Sequence, residues 1–231
     1  MVYLPPAFAE NDPEVLVSHI EDHEFGLLVS SGSRRGDNTE LIASQIPFLV
    51  ARRDRGLLLE GHIARANPQI ADLDAGAEVL AIFTGPHAYI SPSWYEAGPA
   101  VPTWNYASVH AYGTPRAIRD REWLRDMLDR LSQRHEARET RPWRMRDLPP
   151  AYLESMLGGI VGVEIAVTRL EGKFKLSQNR PAGDRPRIVA ALGRRADEGS
   201  HQIAAQMRRR EATVGSHGGM TEVAPRIARQ K

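Results

Sequence analysis

The sequence predicts an α+β fold, an antiparallel β-barrel with helices on its periphery. Three observations lead there. Short apolar or alternating runs of strand length follow one another from residue 25 to residue 118, and again from residue 160. Turn residues rather than helices separate most of them, which disfavours a parallel βαβ sheet. One clear amphipathic stretch, near residues 120–138, interrupts the strands.

The elements follow in order. Asp12 is a good N-cap, Pro13 suits the first helical position, and Val15, Leu16 and Ile20 share a face, so the first helix begins there. From Phe25 the period changes to that of strands. FGLLVS, a turn through Gly32 to Asn38, ELIASQIPFLV, a turn at Asp54-Arg55-Gly56 and LLLEGHIA read as a meander. EVLAIFTG (78–85) is a further strand, and YASVHAYGTPRAI resumes the alternation after a Pro-rich stretch. In DREWLRDMLDRLSQRHEAR, Trp123, Leu124, Met127, Leu128 and Leu131 form one apolar stripe, with charged pairs opposite. A short helix is expected near Tyr152–Leu157, then a strand in which Val161, Val163, Ile165 and Val167 alternate, and a closing helix over 196–211.

Composition narrows the function classes. The 231 residues are 42% hydrophobic and 26% charged, which excludes intrinsic disorder. No run of about 18 apolar residues predicts a membrane span, and the N-terminus lacks the basic and apolar regions of a secretory signal, so a cytoplasmic location is expected. Cysteine is absent, which rules out disulfides, thiol nucleophiles and Cys-ligated metals. Net charge is +1 but unevenly spread: residues 1–184 carry 20 Lys and Arg against 25 Asp and Glu, and residues 185–231 carry 10 against 4. That basic tail reads either as a solvated C-terminus or as a nucleic-acid contact.

Nucleotide-binding glycine loops, a nucleophile elbow, a zincin motif and metal-spaced histidine pairs are all missing, so no catalytic residue and no metal ligand is nominated. Four clusters stand out instead. In GHIARANP (61–68), His62 and Arg65 end a strand; the guanidinium suits a phosphate, and equally a surface carboxylate. GPHAYISPSWY (85–95) and VPTWNY (101–106) place Trp94, Tyr95, Trp104 and Tyr106 among prolines, as the edge of a flat ligand site, a dimer interface, or the cover of a barrel end. In GKFKLSQNR (172–180), strand alternation puts Lys173, Lys175 and Ser177 on one side, suited to a phosphate or to a protected sheet edge. Only three lysines occur against 27 arginines, and two of them fall here.

Together these strings, from MVYLPPAF to GIVGVEIAVTRLEGKFKLSQNR, resemble the PaiB family of FMN-binding split-barrel proteins, described as negative transcriptional regulators. The resemblance implies a six-stranded antiparallel split β-barrel, related to pyridoxamine-phosphate oxidases, over residues 1–190, a basic, partly helical segment over 191–231, and a homodimer with FMN between subunits. Carried over by motif, Arg65, Lys175 and Ser177 are the phosphate candidates. Gln178 and Asn179 are candidates for the ring or ribityl chain, Trp104, Asn105 and Tyr106 line the cleft, and His62 is a further candidate. Where the family reads Thr-His before the aliphatic-Pro-Phe strand, this chain has Ser44 and Gln45, which puts a role resting on that histidine in doubt. The expected function is FMN-dependent regulation, with DNA contact through the basic tail. The alternatives are a flavin oxidoreductase using NAD(P)H and a haem-binding split barrel.

Overall fold

The expected elements form in the computed structural model, which describes residues 1–35, 38–53, 56–96 and 98–217. Helix α1 (Pro13–Asp22) starts where its cap predicts, the Asp12 carboxylate accepting from the Glu14 amide at 2.9 Å. Val17 rather than Val15 joins Leu16 and Ile20 in the core. A two-residue strand, β1 (Ala9–Glu10), precedes α1 and pairs with β8.

The remaining strands are β2 (Phe25–Arg35), β3 (Asn38–Pro47), β4 (Leu49–Arg53), β5 (Gly56–Ala64), β6 (Val79–Ile90), β7 (Thr103–Ile118) and β8 (Ile160–Lys175). Strands β2, β3, β6 and β7 run longer than their apolar cores suggest, and the expected turn at Asp54 and Arg55 lies outside the described residues. Between the strands sit α2 (Ile70–Ala75), α3 (Arg121–Glu136) and α4 (Pro150–Gly158), with α5 (Asp184–Leu192) and α6 (Glu198–His217) after β8.

Sheet order is β3-β2-β6-β7-β8-β5-β4. Its two ends, β3 and β4, are consecutive in the chain and separated only by Phe48, with Phe25 opposite Pro47 on one side and Leu49 opposite Glu60 on the other. One bent strand therefore closes the sheet, and six strand paths make an antiparallel barrel among the described residues. Pro47 has no N–H for a ladder, and the Phe48 amide leaves the ladder to donate to the Glu24 carbonyl at 2.9 Å. The Phe48 ring then drops inward, 1% exposed and edge-on to Phe83 at 5.6 Å. Opposite it only glycine fits at position 61, because a Cβ there would lie 2.9 Å from the Pro47 carbonyl oxygen. Gln45 is exposed on β3, whereas the Ser44 hydroxyl accepts from Asn67 Nδ2 at 2.9 Å.

Helix α3 packs outside the barrel as its stripe predicts. Leu124, Met127 and Leu131 are buried, and Leu49 shares a cluster with Met127, Leu131, Trp123 and Leu128. Beneath it the fully buried Glu60 carboxylate takes Arg53 at 2.8 Å and Arg130 at 2.6 Å. Two short helices were not legible beforehand: α2, a single six-residue piece behind the Asn67-Pro68 turn, and α5, whose first turn contains Pro186.

The chain divides into two compact units, residues 1–85 with 107–174, and residues 86–106 with 175–231. A buried histidine gives the first unit an acid-sensitive point. His19 is 5% exposed, stacked on His23 at 4.3 Å and beside Phe174 at 5.2 Å, with Nε2 donating to the Phe83 carbonyl at 3.3 Å. Burial, and then the neighbouring His23, push its pKa down to about 4. The unfolded chain takes up that proton near its ordinary pKa of about 6.5, so stability is lost as pH falls from 6.5 towards 4, by about 3 kcal/mol at the low end. Urea unfolding at stepped pH should show this slope in the parent and a flatter one in His19→Gln. Equal slopes would remove His19 from the acid response.

Candidate functional site

Seven of the nine candidate residues belong to the second unit, and His62 and Arg65 belong to the first. In the second unit the site starts where β8 ends. Strand alternation holds up to Lys175 and then breaks: Ser177 has a left-handed φ of 62° and is 3% exposed. The expectation that Ser177 shares a face with Lys173 and Lys175 is therefore corrected, because the backbone turns at Ser177 and carries its side chain inward. A left-handed serine costs of order 1 kcal/mol and persists only where its surroundings hold it.

Those surroundings are explicit. The Asn105 side chain, fully buried on β7, donates from Nδ2 to Ser177 Oγ at 2.9 Å, and the Ser177 hydroxyl lies 3.1 Å from Asn105 Oδ1, which accepts from it. Asn105 Nδ2 also reaches Met207 Sδ of α6 at 3.6 Å. The turn is closed by Gln178, whose Oε1 accepts from the Leu176 amide at 2.7 Å, and by the Arg180 amide donating to the Ser177 carbonyl at 3.0 Å. Two residues before Asn105, the Thr103 hydroxyl accepts from Lys175 Nζ. Asn179 is exposed on the turn. The result is a cationic strand end beside a rigid, side-chain-locked turn.

An aromatic surface adjoins it on β6 and β7. Trp104 is 52% exposed, with His87 and Tyr89 each at 5.9 Å, the Tyr89 ring edge-on. Tyr106 is half-buried two residues on. Of the other aromatics, Tyr95 lies under the Arg180 guanidinium at 4.0 Å, and the neighbouring Glu96 is held by its amide on Asp184 at 2.9 Å and its carboxylate on Arg187 at 2.7 Å. Sequence reasoning missed Thr103, His87, Tyr89 and Met207. The first three lie within strings already singled out: alternation puts Thr103 on the face of Asn105 in β7, and His87 with Tyr89 on one face of β6; Met207 had no such signal.

In the first unit, Arg65 spends its fork on the chain itself. Its Nε donates to the Gly158 carbonyl at 2.6 Å and Nη2 to the Ile160 carbonyl at 3.1 Å, tying the end of β5 to the start of β8. His62 stands opposite Gly162 in register, with Nδ1 buried and without a hydrogen-bond partner among the described residues. Burial lowers its pKa, so near neutral pH it brings no cation to an anion.

Charge divides between the units. The sequence of the second carries 12 Lys and Arg against 6 Asp and Glu, and that of the first carries 18 against 23. Among the described residues no cluster of His, Asp and Glu could hold a metal, and no helix is long and apolar enough to cross a membrane.

Comparison with known proteins matches residues 2–169 to a family described as "Putative FMN-binding domain". The chain is 33% identical over 206 residues to the protease synthase and sporulation protein PAI 2 of Bacillus subtilis, covering 89% of this chain and 96% of that one. Among solved structures it is similar to a "putative 5-nitroimidazole antibiotic resistance protein" of Bacteroides thetaiotaomicron, with a TM-score of 0.50, 16% identity, and coverage of 71% and 85% of the two chains. It is likewise similar to the FAD and heme binding protein of Mycobacterium smegmatis, with a TM-score of 0.50, 17% identity and coverage of 79% of each chain. At these identities the structural likeness bears on the fold alone, an antiparallel barrel with peripheral helices.

Proposed function

The chain belongs to the PaiB family of FMN-binding split-barrel proteins, and from that membership we propose that it is a homodimeric, flavin-binding regulator of transcription. The cofactor is FMN. The observation that carries its placement is the meeting, in the basic unit, of Lys175, Thr103 and the locked Ser177 turn. This donor set suits a phosphate monoester: an ammonium beside a hydroxyl, next to a turn held in shape by side chains. Lys175 would hold the phosphate, the Ser177–Asn105 pair keeps the turn in shape, and Asn179 and Gln178 are the candidates for the ribityl chain or ring edge. Trp104 offers its open face to the flavin ring. Arg65, engaged with two carbonyls, and His62, whose burial disfavours a cation, are given no part in this reading. FMN supplies reversible one- and two-electron chemistry when bound; the residues named here bind and orient it.

The regulatory half of the reading rests on the similarity to PAI 2, a protease synthase and sporulation protein, and on the charge of the second unit. Arg208, Arg209 and Arg210 form a basic run on α6, whose start is capped by Asp197 accepting from the Ser200 amide at 2.8 Å. Residues 218–231, which add further arginines, lie outside the described residues. Duplex DNA binding should weaken steeply with salt, and replacing Arg208, Arg209 and Arg210 by alanine should flatten that slope by roughly three phosphate contacts. A salt-independent interaction, or none, would leave flavin binding without a DNA output.

A further inference from the structure

Apart from the flavin candidates, the first unit carries a groove of about 570 Å³ between α3 and the segment that follows it. Its α3 wall presents Asp126 and Asp129; the opposite wall presents Trp143, Arg144 and Arg146. The two walls differ in how their charges are satisfied. Asp126 takes Arg130 at 2.9 Å, and Asp129 takes Gln133 Nε2 at 2.6 Å. Arg125, also on the groove, pairs with Glu154. Arg144 and Arg146, by contrast, are exposed, and neither side chain forms an ion pair or hydrogen bond among the described residues. Asp147 is the acidic residue beside them in sequence.

The same wall carries an indole. Trp143 is 45% exposed, yet its position is fixed: its amide donates to Glu136 Oε2 at 2.7 Å, and Met145, two residues on, is buried at 8%. A half-exposed tryptophan on a pinned backbone, flanked by two unpaired guanidiniums, is a stacking face with an anion grip beside it. The carboxylates opposite are hydrogen-bond acceptors with lone pairs left after one partner each. A ligand matched to both walls has a planar aromatic ring, a negative charge at one end, and hydroxyl or amine donors at the other.

We propose that this groove binds a free nucleoside phosphate, with the base on Trp143, the phosphate on Arg144 and Arg146, and the ribose hydroxyls or exocyclic amine towards Asp126 and Asp129. The volume suits such a ligand, since small-molecule sites run from about 300 to 1,000 Å³. A nucleic-acid strand fits less well, because its continuous phosphates would run against the α3 carboxylates. The proposal stands apart from the flavin reading, which uses the other unit.

The test is calorimetric titration of the full-length protein with AMP and ATP, and with adenosine and inorganic phosphate as the separated halves. Saturable nucleotide binding is expected, with each half at least about tenfold weaker. Trp143→Leu and the double variant Arg144→Ala/Arg146→Ala should each weaken it by about tenfold or more, with melting and flavin binding unchanged. Lys175→Ala should leave nucleotide affinity as it is. No saturable binding into the millimolar range overturns the proposal, as does nucleotide binding that survives both groove changes and is lost in Lys175→Ala. A single-stranded oligonucleotide bound much more tightly than AMP would also overturn it, in favour of a strand.

Discussion

Lys175→Ala is expected to raise the dissociation constant for FMN by about 10- to 100-fold, the loss of one charge-assisted hydrogen bond worth about 1.5–3 kcal/mol. The fold should be indifferent. Lys175 sits at the open end of β8, and its known partner there, the Thr103 hydroxyl, is returned to solvent when the lysine is removed. Lys173 is the natural control. It lies two residues earlier on the same strand, but its Nζ donates to the Tyr3 carbonyl at 2.6 Å and rests 5.2 Å from the Tyr3 ring, so it fastens the N-terminal segment. Lys173→Ala should therefore leave flavin affinity alone. Flavin titration by absorbance separates the two; equal effects would show that net charge, rather than a placed ammonium, attracts the ligand.

Phe48→Ala is expected to destabilise the first unit by about 3–5 kcal/mol, the usual cost of emptying a buried aromatic position. The position is more exacting than its burial alone implies. Phe48 is the single residue between β3 and β4, its ring fills the space that Gly26 and Gly61 leave open, and it packs edge-on against Phe83. Losing it removes packing at the point where the barrel closes. Denaturant unfolding should show the loss, whereas Phe48→Leu should recover part of it. A parent-like midpoint for Phe48→Ala would mean that closure rests on the backbone pairing of β3 and β4 alone.

Much of the fold was legible in the sequence because periodicity reports burial. The α3 stripe, the Asp12 cap and the alternation of β8 each produced the element they predict. The closing bend was half visible: Pro47 announces a break, but only the pairing of Phe25 with Pro47 and of Leu49 with Glu60 shows that β3 and β4 join opposite ends of the sheet. Short helices such as α2 carry too few residues for a period to emerge. The candidate site followed the same division. Its strings stood out by composition before the resemblance gathered them, and Lys175 and Ser177 lie at the end of β8 near Thr103 and Asn105. Ser177 shows the limit, because a residue just past a strand end can leave the alternation, and nothing local announces a left-handed serine. Arg65 is similar: a guanidinium suited to phosphate is equally suited to two carbonyls, and only the geometry decides.

The most direct test of flavin held by its phosphate end is a comparison of FMN with riboflavin, followed by visible absorbance before and after desalting. FMN should be retained and riboflavin washed out, with an affinity difference of about tenfold or more. Equal retention of both would contradict a phosphate grip at Lys175 and the Ser177 turn, and a protein that stays colourless with either would contradict flavin binding itself.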